Sequence, residues 1–291
     1  MAAKGCSAKQ SNTGKSRCQY DWGLFKRVIV LPKGTEFNGE NFDEWLMAGI
    51  HAKNPAERFY PMPMFTDNAD NSEDAVTWTN GYGQQYTIRE GNMAFTQSYE
   101  QDYCMTNRLR TFNDQVTREF LVWDGSGRIW GVKTETGFKG FTGKMFAMVS
   151  KPTPSDSLSE PTISYTFTQP SELSKKGSMD TDLDPEDVDG LENVELNIVK
   201  ESTSYKVTMS AECGGSDVTT EMAALTVKEC WLTGPTKADT AVTTAPTWDA
   251  TNGCFVFSGL TAGNKLALAS PDVLYAHDVR FKEGANEVSI P

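Results

Sequence analysis

The stretch that decides the fold runs from Leu121 to Leu173 and reads LVWDGSGRIWGVKTETGFKGFTGKMFAMVSKPTPSDSLSEPTISYTFTQPSEL. Apolar and polar residues alternate along much of it, and β-branched and aromatic residues are frequent, which is typical of strands. Asp124–Gly127, DGSG, has the composition of a tight turn, and Pro161–Thr168 is an alternating segment that begins at a proline. The stretch therefore predicts several strands joined by tight turns. It contains no catalytic pattern and is typical of a scaffold that assembles with copies of itself.

Upstream of this stretch, the sequence predicts a strand, one clear helix and a long loop. Arg27–Leu31, RVIVL, predicts a strand that ends at a turn. Asn41–Lys53 has apolar residues at helical spacing, and Asn41 followed by Glu44 is typical of a helix N-terminus. The residues 59–75, rich in proline, Asp and Asn, are predicted to form a long loop.

Between Val76 and Val122 the pattern first predicts strands and then a second helix. Threonine and aromatic residues alternate with polar residues as far as Tyr103, and Asn80-Gly81 is a frequent hairpin turn. From Thr106 to Val122 the apolar residues instead recur at helical spacing. We therefore expect a hairpin around Asn80 and a helix over Thr106–Val122.

The composition changes after Leu173. Residues 174–190 are polar and acidic, with no basic residue from Asp180 to Asp189, and are interpreted as a linker. From residue 191 onwards, short alternating segments recur at nearly regular spacing, which is typical of an immunoglobulin-like sandwich, although the Cys-Trp-Cys framework of antibody domains is not matched. The prediction is a mainly β protein with one or two helices and four segments: an arm (1–20), a β-sandwich or barrel domain (21–173), the acidic linker (174–190) and an immunoglobulin-like β-sandwich domain (191–291).

Composition and charge narrow the functional classes. The chain has 291 residues, of which 38% are hydrophobic and 23% charged, as is ordinary for a globular protein. The sequence has no apolar run long enough for a membrane span and starts without a secretory signal pattern, so we expect folding in a cytosol. The net charge of −12 disfavours binding to a phosphate backbone. Basic residues are concentrated in residues 1–33, and this basic arm and the acidic linker are either solvated or paired between subunits.

The six cysteines do not indicate a metal site. They form no C-x-x-C pair, and with two histidines in the chain no zinc pattern is recognisable. In a chain expected to fold in a cytosol, we predict reduced thiols. Cys213, Cys230 and Cys254 lie in apolar, strand-like runs and are predicted to be small buried side chains.

Three further patterns are too incomplete to assign chemistry. Gly14-Lys15-Ser16 ends like a phosphate-binding loop, but Lys9 stands where that motif has its first glycine. Asp180–Asp184 resembles the start of a calcium loop without its glycine and final glutamate, so we interpret it as a charged hinge, with a cation site as the alternative. His51 and His277 belong to no nucleophile motif and are interpreted as structural.

Aromatic residues are the remaining candidates for a binding function. The seven tryptophans are predicted to fill cores or subunit interfaces rather than to stack on sugars. We accordingly predict no catalytic, cofactor or metal residues, no cofactor and no enzymatic activity.

The run Gly137–Leu173 and the C-terminal domain together resemble structural proteins of tailed bacteriophages, most closely the tail tube (major tail) proteins. In this run a G-F-x-G-F strand, Gly137–Phe141, is followed by the proline-bounded strand and by T-x-x-Q-P-S-E-L, Thr166–Leu173. Many phage tail and capsid proteins also carry an immunoglobulin-like domain at the C-terminus. The likeness includes no invariant motif.

The resemblance implies a structural virion protein, assembled in the host cytoplasm. It would self-associate into rings, commonly hexameric, that stack into the tail tube through which DNA is ejected. The arm at 1–20 and the loop at 59–75 would contact the neighbouring ring, other tail proteins would be partners, and the immunoglobulin-like domain would project towards host-surface glycans. An acidic lumen keeps DNA from adhering, and the net charge of −12 agrees with such a lumen.

Other classes stay open. The chain is alternatively another virion component, such as a neck ring, tail terminator or capsid decoration protein, which only its copy number in a particle would distinguish. A second alternative is a non-viral carbohydrate-binding β-sandwich protein, which predicts an exposed aromatic strip and glycan binding as a monomer. An enzyme is the third, because paired carboxylates for glycoside hydrolysis depend on positions in space that a sequence does not show.

Overall fold

A computed structural model describes residues 4–5, 24–100, 103–148 and 160–291. The protein is mainly β, with several antiparallel sheets and few short helices, as the sequence predicts. The chain divides into two compact units, one of Met1–Met47 with Ala56–Asp189 and one of Ala48–Pro55 with Gly190–Pro291. Except for Lys4–Gly5, the predicted arm at 1–20 lies outside the described residues.

The elements of the first part of the chain are short. The strands are β1 (Lys4–Gly5), β2 (Phe25–Leu31), β3 (Glu36–Phe37), β4 (Tyr60–Pro61), β5 (Asp67–Asp70), β6 (Val76–Thr79), β7 (Gln85–Arg89), β8 (Ala94–Ser98), β9 (Arg118–Asp124), β10 (Arg128–Lys133), β11 (Phe138–Lys139), β12 (Phe141–Met148), β13 (Thr162–Phe167) and β14 (Lys176–Asp180). The helices are α1 (Phe42–Ile50), α2 (Tyr103–Leu109) and the 3-10 turns Arg110–Phe112 and Pro170–Lys175.

A 12-stranded sheet organises the first unit, with the main order β1-β14-β10-β9-β12-β13-β8-β5. Strand β9 is its centre, because β2 pairs along one edge while β12 and β10 share the other edge. Among the described strands, β6 and β7 pair only with each other, in a separate two-stranded sheet. The sheet therefore contains all of the first unit's described strands except this hairpin.

Aromatic residues from β8, β9, β12 and β13 build the core on one face of the sheet. In β13 the alternate residues Ile163, Tyr165 and Phe167 are buried, as the period of a strand requires. The ring of Phe167 stacks on that of Phe141 with centroids 5.1 Å apart, and the ring of Phe120 meets Tyr165 edge to face at 5.4 Å. Each such pair contributes about 0.5–1.5 kcal/mol beyond the burial of apolar area.

The other face of the sheet carries a second aromatic group that α1 helps to form. Asn41 caps α1, since its Oδ1 accepts a hydrogen bond from the backbone N–H of Glu44 at 3.2 Å. On the helix, Phe42 packs edge-on against Phe37 with ring centroids 5.2 Å apart, and it also contacts Phe138 at 6.0 Å. The predicted helix is thus confirmed, although it ends at Ile50 rather than at Lys53.

Two features of the deciding stretch are explained by close packing. Asp124 shapes the DGSG turn, because its Oδ1 accepts from the backbone N–H of Ser126 at 2.8 Å and its Oδ2 accepts from Trp130 Nε1 at 2.7 Å. At Gly140, a Cβ atom would lie 2.7 Å from the backbone nitrogen of Phe120. Only glycine therefore lets the G-F-x-G-F run lie this close to β9.

The helix predicted over Thr106–Val122 is wrong for most of its length. Helix α2 ends at Leu109, and Arg118–Asp124 form β9 instead. Strand β9 is buried on both faces, so its apolar residues are continuous and do not alternate. A continuous apolar run fits helical spacing as well as it fits a buried strand, and only the neighbouring strands resolve the ambiguity.

Two segments predicted to lack regular structure contain strands. The predicted loop at 59–75 includes β4 and β5, and the predicted linker at 174–190 includes β14. Strand β14 pairs with β10 from Asp180 to Lys176. Backbone hydrogen bonds hold these strands in the sheet, and their apolar side chains are few. Their sequences therefore lack the alternation of apolar and polar residues that predicts a strand.

The second unit contains two sheets packed around one core. Its strands are β15 (Glu192–Glu201), β16 (Ser204–Ala211), β17 (Trp231–Gly234), β18 (Thr240–Ala241), β19 (Thr247–Asp249), β20 (Cys254–Ser258), β21 (Lys265–Leu268), β22 (Lys282–Gly284) and β23 (Val288–Ser289), with the 3-10 turns Thr220–Met222 and Lys228–Cys230 and helix α3 (Pro271–Ala276). The strand orders are β19-β20-β16-β15-β22 and β18-β17-β21-β23. Trp231 lies at the centre, with its ring 4.8 Å from that of Phe257 and its Nε1 donating to the Leu225 carbonyl at 2.9 Å. The unit is sandwich-like.

The cysteines divide into two kinds. Cys230 and Cys254 are free and buried, as predicted, and burial raises the pKa of the Cys230 thiol to about 11. Cys104 and Cys213 are each disulfide-bonded, so the prediction of reduced thiols is wrong for these two. Cys213 lies half-buried in a turn rather than in a buried strand. Disulfide formation depends on Cβ atoms coming within about 4.5 Å of each other, which spacing along the chain does not determine.

Candidate functional site

Both histidines occupy structural positions. His51 follows the last residue of α1 and is 1% exposed, and its Nε2 accepts a hydrogen bond from the backbone N–H of Phe281 at 3.1 Å. Its ring stacks on Tyr275 with centroids 4.2 Å apart. His277 is the C-cap residue of α3. The His51 ring therefore serves packing and caps a backbone N–H.

The acidic segment after β14 is held by hydrogen bonds within the first unit. The Asp43 carboxylate accepts from the Thr181 hydroxyl at 2.6 Å and from the backbone N–H of Asp182 at 3.1 Å. Asp189 forms an ion pair with Arg27 at 3.1 Å. In the described parts of the chain, no group of three or more His, Cys, Asp or Glu is placed to hold a metal ion. The calcium-loop alternative thus has no ligand cluster there.

Gly14-Lys15-Ser16 and Trp22 lie outside the described residues. Over the residues that the structure describes, no helix has the length and apolar character needed to cross a membrane.

The structure brings together two carboxylates that the sequence does not pair, Glu119 on β9 and Glu172 in a 3-10 turn. Glu172 accepts hydrogen bonds from Lys139 Nζ at 2.6 Å and from the Thr142 backbone N–H at 2.7 Å. Glu119 Oε1 accepts from the backbone N–H of Gly34 at 3.1 Å and lies 3.9 Å from Lys139 Nζ. Both carboxyl groups are buried. A single ammonium group therefore lies between two buried carboxylates.

The electrostatics of this cluster indicate a structural role. Burial raises the pKa of Glu119, while the Gly34 N–H and the Lys139 charge act in the opposite direction. Glu119 Oε2 has no hydrogen-bond partner in the described residues. Glu172 belongs to the T-x-x-Q-P-S-E-L run, and its bonds to Thr142 fasten that run to β12. The cluster joins three segments of the first unit.

A pair of buried tyrosines is the other group with altered acidity. The hydroxyl groups of Tyr99 and Tyr165 lie 3.1 Å apart, and Tyr99 donates to Gln97 Oε1 at 2.8 Å. Burial raises the pKa of both phenols well above the ordinary value. Both phenols therefore stay protonated at neutral pH and act as hydrogen-bonding core groups.

Of the six tryptophans that the structure describes, only Trp78 is among the exposed large hydrophobic residues. Trp123, Trp130 and Trp231 are buried, as the prediction of core positions requires. Trp78 is 54% exposed on β6. Trp78 belongs to the exposed surface that is the strongest functional candidate of the first unit.

Strands β5 to β8 form one long antiparallel ribbon with two different halves. The proximal half pairs Asp67–Asp70 with Ala94–Ser98, and β8 also pairs with β13 of the large sheet. The backbone ladder continues from Asn71 N to Ala94 O and from Glu73 N to Asn92 O, both at 2.9 Å. Beyond it, β6 and β7 pair with each other and with no other described strand. We call residues 76–89 the ribbon tip.

The turn of the ribbon tip is well defined. Asn80 Oδ1 accepts from the backbone N–H groups of Tyr82 and Gln84, each at 3.0 Å, and Gly83 takes a left-handed φ of +80°. The predicted hairpin is confirmed. The loop contains three residues between Asn80 and Gln84, with glycine in the left-handed position, so it differs from a two-residue Asn-Gly turn.

All strand residues of the ribbon tip are exposed. Trp78 and Tyr86 are register partners whose rings lie 5.8 Å apart, so one face of the hairpin is aromatic. Thr77 and Thr87 are partners on the opposite, polar face. Further exposed apolar or aromatic residues of the tip are Val76, Tyr82 and Ile88.

A second exposed apolar patch lies on β12. Phe146 and Met148 are 56% and 44% exposed, and Lys144 is exposed on the same face of the strand. In the register, Phe146 is opposite Ser164, whose hydroxyl lies 2.9 Å from that of Thr96 on β8. We call Lys144, Phe146 and Met148 the β12 strip.

The ribbon tip and the β12 strip have no chemistry typical of catalysis. They offer exposed apolar contact area bordered by hydroxyl groups, which suits association with another macromolecule. The sequence already contained a signal for the tip, because the apolar and threonine residues alternate on both sides of Asn80-Gly81. It contained no signal that these residues stay uncovered.

Comparisons with known proteins supply no relative. No protein family, no curated protein and no solved structure matches this chain.

Proposed function

We propose that the protein is a structural virion protein of a tailed bacteriophage, forming stacked rings of the tail tube through which DNA is ejected. The observation that carries this proposal is the pairing of a mainly β first unit with two uncovered apolar surfaces, the ribbon tip and the β12 strip. Exposed apolar patches on a folded chain favour association. The sequence resemblance of Gly137–Leu173 to tail tube proteins supports the same function.

The ends of the large sheet support a ring in which subunits join edge to edge. Strand β5 ends the main strand order, and its four residues are all exposed. An edge strand carries unpaired backbone N–H and C=O groups that another chain can pair with. In our proposal, repeated pairing of such edges closes a ring, and arms and loops join one ring to the next.

The charge of the chain suits a conduit for DNA. Like charge between a wall and a phosphate backbone prevents adhesion, and the chain has a net charge of −12. In this proposal DNA passes without being read, other tail proteins close the ends of the tube, and the sandwich-like unit contacts host-surface glycans. The protein would act in the virion, after assembly in the host cytoplasm, and not as an enzyme.

Negative-stain electron microscopy of the purified protein at rising concentration tests this function. The expected result is rings or tubes with a central channel. Isolated small particles at every concentration would contradict it. If rings form but do not stack, the copy number in a virion would identify a neck ring, tail terminator or decoration protein instead.

The exposed aromatic residues of the ribbon tip favour one second candidate, a carbohydrate-binding protein. Trp78, Tyr82 and Tyr86 are exposed on one hairpin, and aromatic rings can stack on sugars. This function predicts glycan binding by the monomer and loss of that binding in Trp78→Thr. A glycan array with the monomeric protein separates it from the tail tube function, which requires self-association.

A further inference from the structure

The aromatic face of the ribbon tip is exposed, and contact with another protein surface would stabilise it. A two-stranded hairpin alone is marginally stable in water, yet this one has a defined turn with several Asn80 hydrogen bonds. Its aromatic face, Trp78 and Tyr86, is not part of the core cluster that the described residues of the first unit form. Burying that face against another surface would stabilise both the hairpin and the contact.

We propose that the ribbon tip of one copy of this chain docks on the β12 strip of a second copy. Both surfaces are exposed in the single chain, so they do not cover each other within one molecule. Trp78 and Tyr86 present two neighbouring aromatic rings, and Phe146 and Met148 present an apolar island on one face of β12. The two surfaces are thus both apolar and exposed.

Charge complementarity favours a second copy as the occupant. The chain has a net charge of −12, so two copies repel each other overall and a contact between them needs locally opposite charges. The ribbon tip has no charged residue from Val76 to Ile88, and its last residue, Arg89, is paired with Glu73. Asp74 precedes the tip and Glu90 follows it. The β12 strip carries Lys144. Among the described residues, Lys144, Asp74 and Glu90 have no ion-pair partner, so docking would place a free cation beside free acids.

The symmetry of this contact has a consequence. It joins two different surfaces, so a pair either closes on itself, with each tip on the other copy's strip, or keeps one free tip and one free strip. A pair with free surfaces adds further copies until it closes a ring or extends a stack. The inference deepens the proposed tail tube function, and the ring and the stack rest on that function. The docking of one copy on another does not depend on it.

Surface variants test the docking without disturbing the core. Trp78→Thr removes the aromatic face of the tip, and Phe146→Thr removes the apolar island of the strip, each at an exposed strand position. Val199→Thr is the matched control, since Val199 is 65% exposed on β15 of the second unit. Sedimentation over a concentration series gives the assembly midpoint, and circular dichroism confirms that each variant is folded.

We expect Trp78→Thr and Phe146→Thr each to raise the assembly midpoint by about 30-fold, which corresponds to about 2 kcal/mol for an aromatic hot spot. Val199→Thr should assemble like the wild type. Either variant assembling at the wild-type midpoint overturns the docking inference.

Mixing the two defective copies gives a sharper result. The Phe146→Thr chain keeps a working tip and the Trp78→Thr chain keeps a working strip, so a 1:1 mixture should form pairs that cannot extend. A tip-to-tip contact instead predicts that the Phe146→Thr chain pairs with itself and that the Trp78→Thr chain is absent from the pairs. Lys144→Glu should weaken assembly, and adding Glu90→Lys to the same chain should restore it in part. A mixture that stays monomeric overturns the inference.

The outcomes separate this inference from the proposed function. Wild-type rings or tubes that persist in both variants would overturn the docking and leave the tail tube function standing. Wild-type pairs that depend on both surfaces, without rings or tubes at any concentration, would support the docking and overturn the tail tube function. A wild type that stays monomeric overturns both.

Discussion

Strand β8 of the proximal half and the two strands of the ribbon tip have similar compositions and different environments. All three combine apolar or aromatic residues with threonine, serine or glutamine, and both halves form antiparallel pairs, whereas β5 is acidic and exposed. In the proximal half, Phe95 and Gln97 of β8 are buried because β13 pairs with that strand. In the ribbon tip every strand residue is exposed. The pattern thus determines that a strand forms, while the presence of a neighbouring strand determines whether it is buried.

Core truncation should show the largest difference between the halves. Phe95→Ala removes a ring whose centroid lies 4.9 Å from that of Tyr165 and 5.7 Å from that of Phe167. We expect a loss of about 3–5 kcal/mol in the free energy of unfolding. Trp78→Ala should change it by less than about 0.5 kcal/mol, because no core loses contacts. Urea unfolding at a concentration where the chain is monomeric measures both, and equal losses would contradict the comparison.

Breaking a buried ion pair of the first unit should lower the free energy of unfolding more than breaking the exposed ion pair of the ribbon. Lys139 and Glu172 pair at 2.6 Å with Glu172 buried, whereas Arg89 and Glu73 pair at the base of the tip with both side chains 58% exposed. Glu172→Gln should lower the free energy of unfolding by about 3 kcal/mol, because it removes one partner of a largely buried pair. Glu73→Gln should have an effect below about 1 kcal/mol. The same denaturant series measures both, and a large effect of Glu73→Gln would show that the tip is more ordered by charge than we infer.

The junction of the halves can be tested with alanine substitutions. A Cβ atom at Gly91 would lie 1.8 Å from the backbone oxygen of Glu73, so Gly91→Ala forces the two strands apart. We expect destabilisation of about 1–3 kcal/mol, together with faster amide exchange in β6 and β7. Gly81→Ala is the control, since nothing lies within 4 Å of its Cβ position. Unchanged exchange in Gly91→Ala would mean that the ribbon tip does not depend on the ladder below it.

The smallest expected effect is a pH dependence from Glu119. Burial raises its pKa in the folded state, so the folded chain binds this proton more tightly than the unfolded chain. The resulting stabilisation is fully present below the unfolded pKa and is lost as pH rises through the folded pKa. Glu119→Gln should therefore be closest to the wild type near pH 4 and gain relative stability towards pH 7. Thermal unfolding across this pH range measures the difference in stability between Glu119→Gln and the wild type. A difference that narrows as the pH rises would contradict a raised pKa of Glu119.

The sequence predicted the strands whose residues alternate, and it missed elements that depend on their neighbours. Ile163, Tyr165 and Phe167 have the period of a half-buried strand, and β13 forms as expected. Phe120 and Val122 lie in a strand covered on both faces, so the period was lost and a helix was predicted. Strand β14 has few apolar residues and forms through backbone pairing with β10, which composition does not reveal.

The candidate surface was predictable only in part. Asn80-Gly81 between alternating segments predicted the hairpin, and the cap at Asn41 predicted α1. The exposure of Trp78 was not predictable, because tryptophan in a strand is ordinarily a core or interface residue. The clustering of Glu119 and Glu172 around Lys139 joins residues that are distant in the chain, and local patterns contain no information on such distances.

Local chemistry therefore accounts for the class of this protein: mainly β, with a capped helix, tight turns and a sandwich-like C-terminal unit. These follow from side-chain period and turn residues, which act over a few neighbours in the chain. Burial, the carboxylate cluster and the uncovered ribbon tip depend on which strands meet across the sheet. The pairing of strands is determined by the summed burial and backbone hydrogen bonding of the whole unit, so it is visible only in three dimensions.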